Sequence, residues 1–330
     1  MGAFGRRRFL AAAGSLLAAP RFLRAQGRRL PRIGYLLLSS LSDVPSRERQ
    51  AFLTGLRELG YVPGETIEIV YRSAEGEPEF MDEIARDLLK EQVDMIVTSG
   101  SNATLAAKRA TRTLPIIMLA LGDPVGIGAV ASLARPGGNV TGVSFLSSEL
   151  SAKRVQLAKE LVPRARSMAI VWDARNANAR EEAEETVAAA KALGLVPESI
   201  ALGSDKALAR TLERLSSARP DVLYATFEGG MVAGNRTTIA EFGLRNRVPV
   251  VSGWSFLTEA GGLISYAPDI PAMFHRAARY VHRVLQGERP ESLPVELPTR
   301  VELVVNANTA KRLGLAIPQS ILLRADRVIG

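Results

Sequence analysis

The chain contains no cysteine, and this absence excludes a disulfide framework. An exported form of the protein must therefore depend on a packed core for its stability. A lipid carried on cysteine has no attachment point either, so we expect a protein that is not lipid-anchored. Histidine is also scarce: His275 and His282 lie seven residues apart on one predicted helix, too far apart to bind the same ion. The sequence predicts no metal site.

Signatures of catalysis are missing as well. We find no G-x-S-x-G elbow, no Walker loop and no carboxylate cluster with metal-ligand spacing. Residues 126–131 match G-x-G-x-x-A, but a dinucleotide fingerprint must occupy the turn directly after a strand. Asp123 and Pro124 are typical of a helix start, so we expect Gly126 and Gly128 to lie inside that helix. The sequence favours a protein that is not an enzyme and binds no cofactor.

The first 25 residues have the pattern of a twin-arginine signal peptide. Arg6-Arg7-Arg8 precedes an apolar run at residues 10–20, and a small residue, Ala25, follows. The run is shorter than the about 20 residues needed to cross a bilayer. A frayed basic N terminus is the alternative interpretation. We predict cleavage near Ala25 and a free periplasmic protein of a two-membrane bacterium.

The same segment accounts for most of the net charge of +8. Residues 1–25 contain five arginines and no acidic residue, which leaves +3 for the rest of the chain. Because that value is ordinary, the high pI does not predict nucleic-acid binding. About 305 residues remain after the predicted cleavage, enough for two packed domains.

Short apolar runs alternate with amphipathic stretches along the rest of the chain. Runs at 33–38, 67–71, 95–98 and 116–121 are separated by predicted helices at 46–59, 79–91 and 102–111, which indicates βαβ units with parallel strands. A similar pattern recurs about 130 residues later, with runs at 168–172, 220–226 and 248–251. We predict an α/β fold of two doubly wound parallel-sheet lobes; two unrelated α/β domains are the alternative. The last part of the chain has too few elements for a third lobe: a strand at 262–266, a helix at 270–285 and a strand at 301–306. These elements must add to the two lobes already formed, which predicts several connections between the lobes, as in a hinge.

Small and polar residues follow the predicted strands of the first lobe. Residues 99–104 lie between a strand and a helix, where free N–H groups and hydroxyls suit a carboxylate or another anion. The alternative is that Ser101 only caps the helix. Asp123 either caps the next helix or lines the cleft.

The second lobe places aromatic residues at its predicted strand ends. Trp172 and Trp254, the two tryptophans of the chain, both follow apolar runs, where a ligand could stack on them. The alternative is that these rings fill the gap between sheet and helix. Glu228 either binds an amino group or lies solvated at the rim.

Several segments together resemble the family of ABC importer substrate-binding proteins that includes tryptophan- and tyrosine-type binders. These segments are RIGYL at 32–36, GLRELGY at 55–61, DMIVTSG at 94–100, GDPV at 122–125, SLARPGGNVTG at 132–142, EAGGLISY at 259–266 and the closing residues 307–323. The resemblance implies the type I periplasmic-binding-protein fold, in which two Rossmann-like lobes joined by three crossing segments close over a ligand. It implies transport of a small solute to an ABC permease in the inner membrane, with no catalysis and no cofactor.

With that fold we expect residues 31–143 and about 265–297 in lobe 1, and 144–264 and about 298–330 in lobe 2. We also expect a monomer that does not bind nucleic acid. The aromatic Trp254-Ser255-Phe256 segment fits a flat ligand, such as an aromatic amino acid. A ligand-binding module for a membrane sensor and an exported oxidoreductase are the alternative functions. The expected ligand contacts are Ser40, Ser99, Gly100, Ser101, Asn102, Thr104, Asp123, Ser144, Trp172, Asp173, Asn178, Phe227, Glu228, Trp254 and Tyr266.

Overall fold

The computed structural model of the protein describes residues 29–41, 46–145, 150–176, 178–227 and 230–330. The predicted signal peptide, residues 1–25, and the candidate ligand residue Glu228 lie outside the described residues. From Pro31 to Gly330 the described chain builds two sheets.

The first sheet is formed by residues 32–144. Its strands and the helices between them are β1 (Arg32–Leu37), α1 (Arg47–Glu58), β2 (Glu68–Ser73), α2 (Met81–Lys90), β3 (Met95–Ser99), α3 (Ser101–Ala110), β4 (Ile116–Leu121) and β5 (Val140–Ser144). The five strands pair in parallel in the order β2-β1-β3-β4-β5. Helices cover both faces of such a sheet, so its central strands read as continuous apolar runs.

The second sheet has seven strands. The elements after β5 are α4 (Ser151–Leu161), β6 (Ser167–Asp173), α5 (Ala179–Ala192), β7 (Val196–Leu202), α6 (Asp205–Ala218), β8 (Val222–Ala225), α7 (Gly230–Gly234), α8 (Arg236–Asn246), β9 (Val250–Ser252), α9 (Ser255–Glu259), β10 (Ile264–Pro268), α10 (Ile270–Leu285), β11 (Val301–Asn306), α11 (Ala307–Leu313), α12 (Gln319–Leu322) and β12 (Arg327–Ile329). The strand order is β12-β11-β10-β9-β8-β6-β7, and only the β10–β11 pair is antiparallel. The prediction of an α/β fold with two doubly wound lobes is confirmed.

The chain passes between the two lobes three times. It leaves the first sheet after β5, and it leaves the second sheet after β10, since α10 packs in the core of the first lobe. Residues 293–296 then lie against the first lobe, where the N–H of Glu296 bonds to the carbonyl of Gly142 at 2.9 Å, before β11 rejoins the second sheet. The second crossing follows Pro268, the last residue of β10.

Helices α1 and α10 pack tightly against each other in the first lobe. A Cβ at Gly55 would lie 2.4 Å from the carbonyl oxygen of His275, so only glycine permits this approach. The two histidines take part in the same contact. His275 Nε2 lies 2.9 Å from a Glu58 carboxylate oxygen, and His282 Nδ1 lies 3.0 Å from the Tyr61 hydroxyl.

The segment after Asp123 differs from the prediction. Residues 124–128 form a turn, so the expected helix containing Gly126 and Gly128 is wrong. The N–H of Val125 bonds to the Asp123 carboxylate at 2.9 Å, and the N–H groups of Ala129 and Val130 both bond to the Pro124 carbonyl. These bonds span five and six residues instead of the four of an α-helix, so the chain turns back after one loop.

Across the described ranges, no helix is both long enough and apolar enough to cross a membrane.

Candidate functional site

The two lobes meet where segments after β3 and β4 contact the segment after β6. In open α/β sheets this side, beyond the carboxyl ends of the strands, is where ligands bind. Asn178 of the second lobe is 2 % exposed and reaches into the first lobe. With its oxygen turned toward them, its amide accepts from the N–H groups of Gly122 (3.0 Å) and Asp123 (3.2 Å) and from the Ser101 hydroxyl (2.9 Å). The structure thus brings the predicted residues Ser101, Asp123 and Asn178 together.

A second contact between the lobes surrounds Arg175. The Asn102 side-chain amide donates to the Arg175 carbonyl at 2.9 Å. The Arg175 guanidinium lies 3.1 Å from the buried carboxylate of Asp173 and 3.7 Å from Glu77 of the first lobe. Beside this contact is a cavity of about 530 Å³, lined from both lobes by Pro78, Glu79, Met81, Asn102, Leu105, Arg109, Ala174, Arg175, Asn176 and Arg180.

An ion pair joins the lobes again near the second crossing. Arg47 at the start of α1 lies 3.1 Å from Glu259 on α9, and Glu259 also pairs with Arg327 at 2.7 Å. A smaller cavity of about 260 Å³ opens here, and Ser265 and Asp269 are among its lining residues. These contacts and those of Arg175 and Asn178 join the two lobes.

Like charges face each other across the same interface. Burial raises the pKa of Glu181 on α5, and the negative charge of Asp123 in the first lobe raises it further, as does Glu184. A carboxylate pair of this kind opposes closure when both groups are ionised.

An aromatic stack is built from residues at the strand ends and at the first crossing. Phe227 and Trp254 stack with ring centroids 4.2 Å apart, Trp254 and Phe256 stack at 4.5 Å, and Phe145 meets Phe227 edge-on at 5.4 Å. Phe227 and Phe256 thus both stack on the Trp254 indole, at interplanar angles of 18° and 28°. In this arrangement Trp254 makes its stacking contacts with its own aromatic neighbours.

The remaining first-lobe candidates are engaged within that lobe. The Thr104 hydroxyl lies 2.7 Å from that of Thr98, and it also bonds to the carbonyl of Gly100, which precedes α3 with φ of 89°. The Ser144 hydroxyl donates to the Gly122 carbonyl at 2.8 Å. Ser99 bonds to the buried Tyr35, and Ser40 bonds to Glu75.

Two second-lobe candidates pack into their own lobe. The Trp172 indole N–H donates to the Ser199 hydroxyl at 3.0 Å, and the Arg180 guanidinium lies over its ring at 5.4 Å. Trp172 is thus held in the second-lobe core. Tyr266 packs on the same core, and its carbonyl accepts from Arg154 Nε at 2.8 Å. The structure does not bring these two side chains to Asn178.

A buried ion pair lies directly behind the aromatic stack. Arg154 on α4 and Glu182 on α5 are both fully buried, with Nη1 and Oε1 3.0 Å apart. The same Glu182 oxygen accepts from the N–H of Phe227 at 2.8 Å and from the Tyr224 hydroxyl at 3.1 Å. Burial raises the pKa of Tyr224 to about 12 although Arg154 lowers it. These contacts fix the backbone of Phe227 and Tyr266, two candidate ligand residues.

Sequence reasoning missed this pair, although a signal for it exists. Arg154 lies on the buried, mainly apolar stripe of α4. The residues of this stripe recur at helical spacing: Ser151, Arg154, Val155, Ala158 and Leu161. Glu182 lies in the same way among the buried residues of α5. A charged residue on each of two neighbouring apolar stripes indicates a buried ion pair, since such groups are rarely buried without a partner.

Within the residues that the structure covers, no group of three or more histidine or acidic side chains could hold a metal ion.

Comparisons with known proteins agree with this architecture. Residues 42–329 match the family described as ABC transporter substrate binding protein. A tyrosine-binding protein of Clostridioides difficile is 26% identical over 285 residues, which cover 84% of this chain and 80% of that protein. The crystal structure of a conserved domain protein from Vibrio cholerae has a TM-score of 0.85 and 29% identity, covering 91% of this chain and 100% of that one.

The crystal structure of a Streptococcus pneumoniae ABC domain in complex with L-Trp is similar too. It has a TM-score of 0.84 and 28% identity, and it covers 91% of this chain and 100% of that one. The predicted type I periplasmic-binding-protein fold is confirmed. The function of the family is to bind a small molecule for an ABC permease, and its members typically act outside the cytoplasm. Since the match extends over most of the sequence, the chain belongs to the ABC transporter substrate-binding protein family.

Proposed function

We propose that this chain is a periplasmic receptor that captures a small zwitterionic solute, such as L-tryptophan or L-tyrosine, between its lobes. The names of the relatives, one tyrosine-binding and one in complex with L-Trp, support the choice of solute. Closure of the lobes on the solute would present it to the permease, with no reaction and no cofactor. In the same proposal residues 1–25 are a twin-arginine signal and the mature receptor is a monomer.

The observation that carries the proposal is the set of hydrogen-bond donors from the first lobe that surrounds the side-chain oxygen of Asn178. Two backbone N–H groups and the Ser101 hydroxyl converge there from the first lobe, all within 3.2 Å of one amide oxygen. Converging donors of this kind suit the carboxylate of an amino acid, whose full charge makes a stronger hydrogen bond than a neutral amide. A solute carboxylate that displaces Asn178 would bind at the cleft between the lobes.

Calorimetry and thermal unfolding with L-tryptophan, L-tyrosine and a panel of other amino acids, nucleosides and organic acids test this function. A solute at 100 times its Kd should add about 2.7 kcal/mol to the stability. Ser101→Ala should lower the affinity about tenfold, a loss of about 1.4 kcal/mol. The matched control is Ser216→Ala, since Ser216 lies on α6 and its hydroxyl bonds only to the Glu213 carbonyl. The absence of any shift across the panel would refute the proposal.

Export and oligomeric state need separate measurements. Replacing Arg6 and Arg7 by lysine should retain the protein in the cytoplasm of a host with a twin-arginine pathway. Fractionation reads this out, and unchanged export would contradict the signal assignment. Light scattering of the mature form should give the mass of one chain.

A further inference from the structure

The two tryptophans of the chain differ in what their indole N–H groups contact. Trp172 Nε1 donates to the Ser199 hydroxyl at 3.0 Å. Trp254 Nε1 is buried from solvent, and none of the described side chains or backbone groups accepts from it. Buried donors in folded proteins are nearly always hydrogen-bonded, so an orphaned one is unusual and indicates a missing acceptor.

The position of Trp254 places this donor where the lobes meet. Trp254 follows β9 and packs against two core clusters, one that includes Leu37 and Phe227 and one that includes Val250 and Leu257. The first cluster belongs mainly to the first lobe and the second to the second lobe. An acceptor that reaches the indole must therefore enter at the interface, on the side of the strand ends where ligands bind.

The geometry of the ring decides how such a ligand makes contact. Phe227 and Phe256 both stack on the indole, with interplanar angles of 18° and 28°. The stacking contacts of Trp254 are thus made within the protein, whereas the N–H on its edge has no acceptor among the described residues and is the group that can recognise a solute. The sequence led us to expect a ligand stacked on Trp254, whereas the structure favours a hydrogen bond from its indole N–H.

We propose that the indole N–H of Trp254 donates a hydrogen bond to the bound solute, which presents a carboxylate, carbonyl or hydroxyl oxygen to it. The inference rests on the proposed function, because it concerns the same solute. It makes Trp254 a specificity residue: a solute without an acceptor at that position leaves the N–H orphaned and binds more weakly. The aromatic neighbours hold the indole and fix its direction.

Nuclear magnetic resonance tests the proposal on the unaltered protein. A ¹⁵N-labelled sample has two indole N–H signals, one for each tryptophan, and the signal missing in Trp254→Phe identifies Trp254. Saturation with unlabelled L-tryptophan, L-tyrosine or another solute from the panel should move the Trp254 signal downfield, the direction that follows hydrogen bonding. The Trp172 signal serves as the internal reference because its N–H already has a partner.

Affinity measurements on Trp254→Phe give a second readout, since phenylalanine keeps an aromatic ring in the stack and removes the donor together with the second ring of the indole. We expect the Kd to rise about tenfold, or about 1.4 kcal/mol. The thermal midpoint without solute measures the packing lost with the second ring, so that this effect can be separated from the loss of the donor. Tyr61→Phe, which removes an aromatic hydroxyl 3.0 Å from Nδ1 of His282 on α10, should leave the Kd within about twofold.

The outcomes separate this inference from the function on which it rests. An unmoved Trp254 signal at saturation, or a Trp254→Phe variant that binds as tightly as the wild type, overturns the hydrogen bond while the receptor function stands. The latter result would also follow if a trapped water accepts from the indole. If no solute in the panel binds the wild type, the proposed function fails and this inference fails with it.

Discussion

The ion pair between Arg154 and Glu182 makes a quantitative prediction about stability. Both side chains are fully buried, and Glu182→Gln keeps the volume but removes the negative charge. The positive charge of Arg154 is then left in the core without its counter-charge. Breaking a buried pair in this way typically costs about 3–5 kcal/mol. We expect the free energy of unfolding of Glu182→Gln to fall by that amount.

Variants at and around Glu182 separate the effect of its negative charge from the effect of its hydrogen bonds. In Glu182→Gln the side-chain oxygen can still accept from the N–H of Phe227 and from the Tyr224 hydroxyl. Tyr224→Phe instead removes one neutral hydroxyl and leaves the ion pair intact, for an expected loss of about 0.5–1.5 kcal/mol. The double variant Arg154→Met/Glu182→Gln contains no uncompensated charge, so it should lose less than the sum of the two single variants.

Urea unfolding followed by circular dichroism measures these differences, with the m-value checked for each variant. The expected order of stability is wild type, Tyr224→Phe, then Glu182→Gln. The reasoning is refuted if Glu182→Gln loses less than Tyr224→Phe, or if the losses of the two single ion-pair variants simply add. Solute affinity should change little in Glu182→Gln, because the glutamine oxygen can still accept from the N–H of Phe227 and hold that backbone in place.

Three further predictions concern the interface and the effect of pH. Asn178→Ala removes the acceptor between the lobes, so the ratio of closed to open ligand-free protein should fall about tenfold. X-ray scattering should then give a larger radius of gyration for the variant. An unchanged radius would contradict this prediction. Burial and then the charge of Asp123 raise the pKa of Glu181 above 4.5, so closure should weaken as pH rises through that raised pKa. Glu181→Gln should abolish this dependence and tighten solute binding about twofold at neutral pH; a pH profile equal to that of the wild type would count against it. Partial burial raises the pKa of Asp221, but bonds from the N–H groups of Arg166 and Ser167 lower it below 3.8 overall. Its stabilisation is therefore present above pH 3.8 and lost as pH falls through the lowered pKa. By urea unfolding, Asp221→Asn should be less stable than the wild type by up to about 1 kcal/mol at pH 7, and this difference should shrink as pH falls through that pKa.

Local patterns in the sequence were sufficient for most of the secondary structure. Helix α10 and strand β11 have the bounds predicted from it, 270–285 and 301–306. Asp269 caps α10 by accepting from the N–H of Ala272 at 3.0 Å, a contact between near neighbours that a sequence pattern can reveal. The helix predicted after Asp123 failed for the opposite reason, because Asp-Pro begins a turn as readily as a helix.

In the candidate site, too, the local sequence indicates some features and tertiary contacts determine the others. Ser101 and Asn178 were both expected from their positions after strands, yet their contact joins residues 77 apart in sequence. Trp172 and Trp254 have the same local setting at a strand end, but the first points into the core of its own lobe and the second lies at the interface. No local signal distinguishes them, since the difference depends on which elements pack around each ring.

The sequence by itself determined the alternation of strands and helices, the two lobes and the membership in this family. Periodicity, capping and short motifs are local properties, and local properties can be read along the chain. The tertiary structure decided the pairing of Arg154 with Glu182, the aromatic stack around Trp254 and the hydrogen bonds that Asn178 makes across the lobes. Each of these depends on the direction of side chains that meet only after the sheets have formed, because their partners lie far away in the sequence.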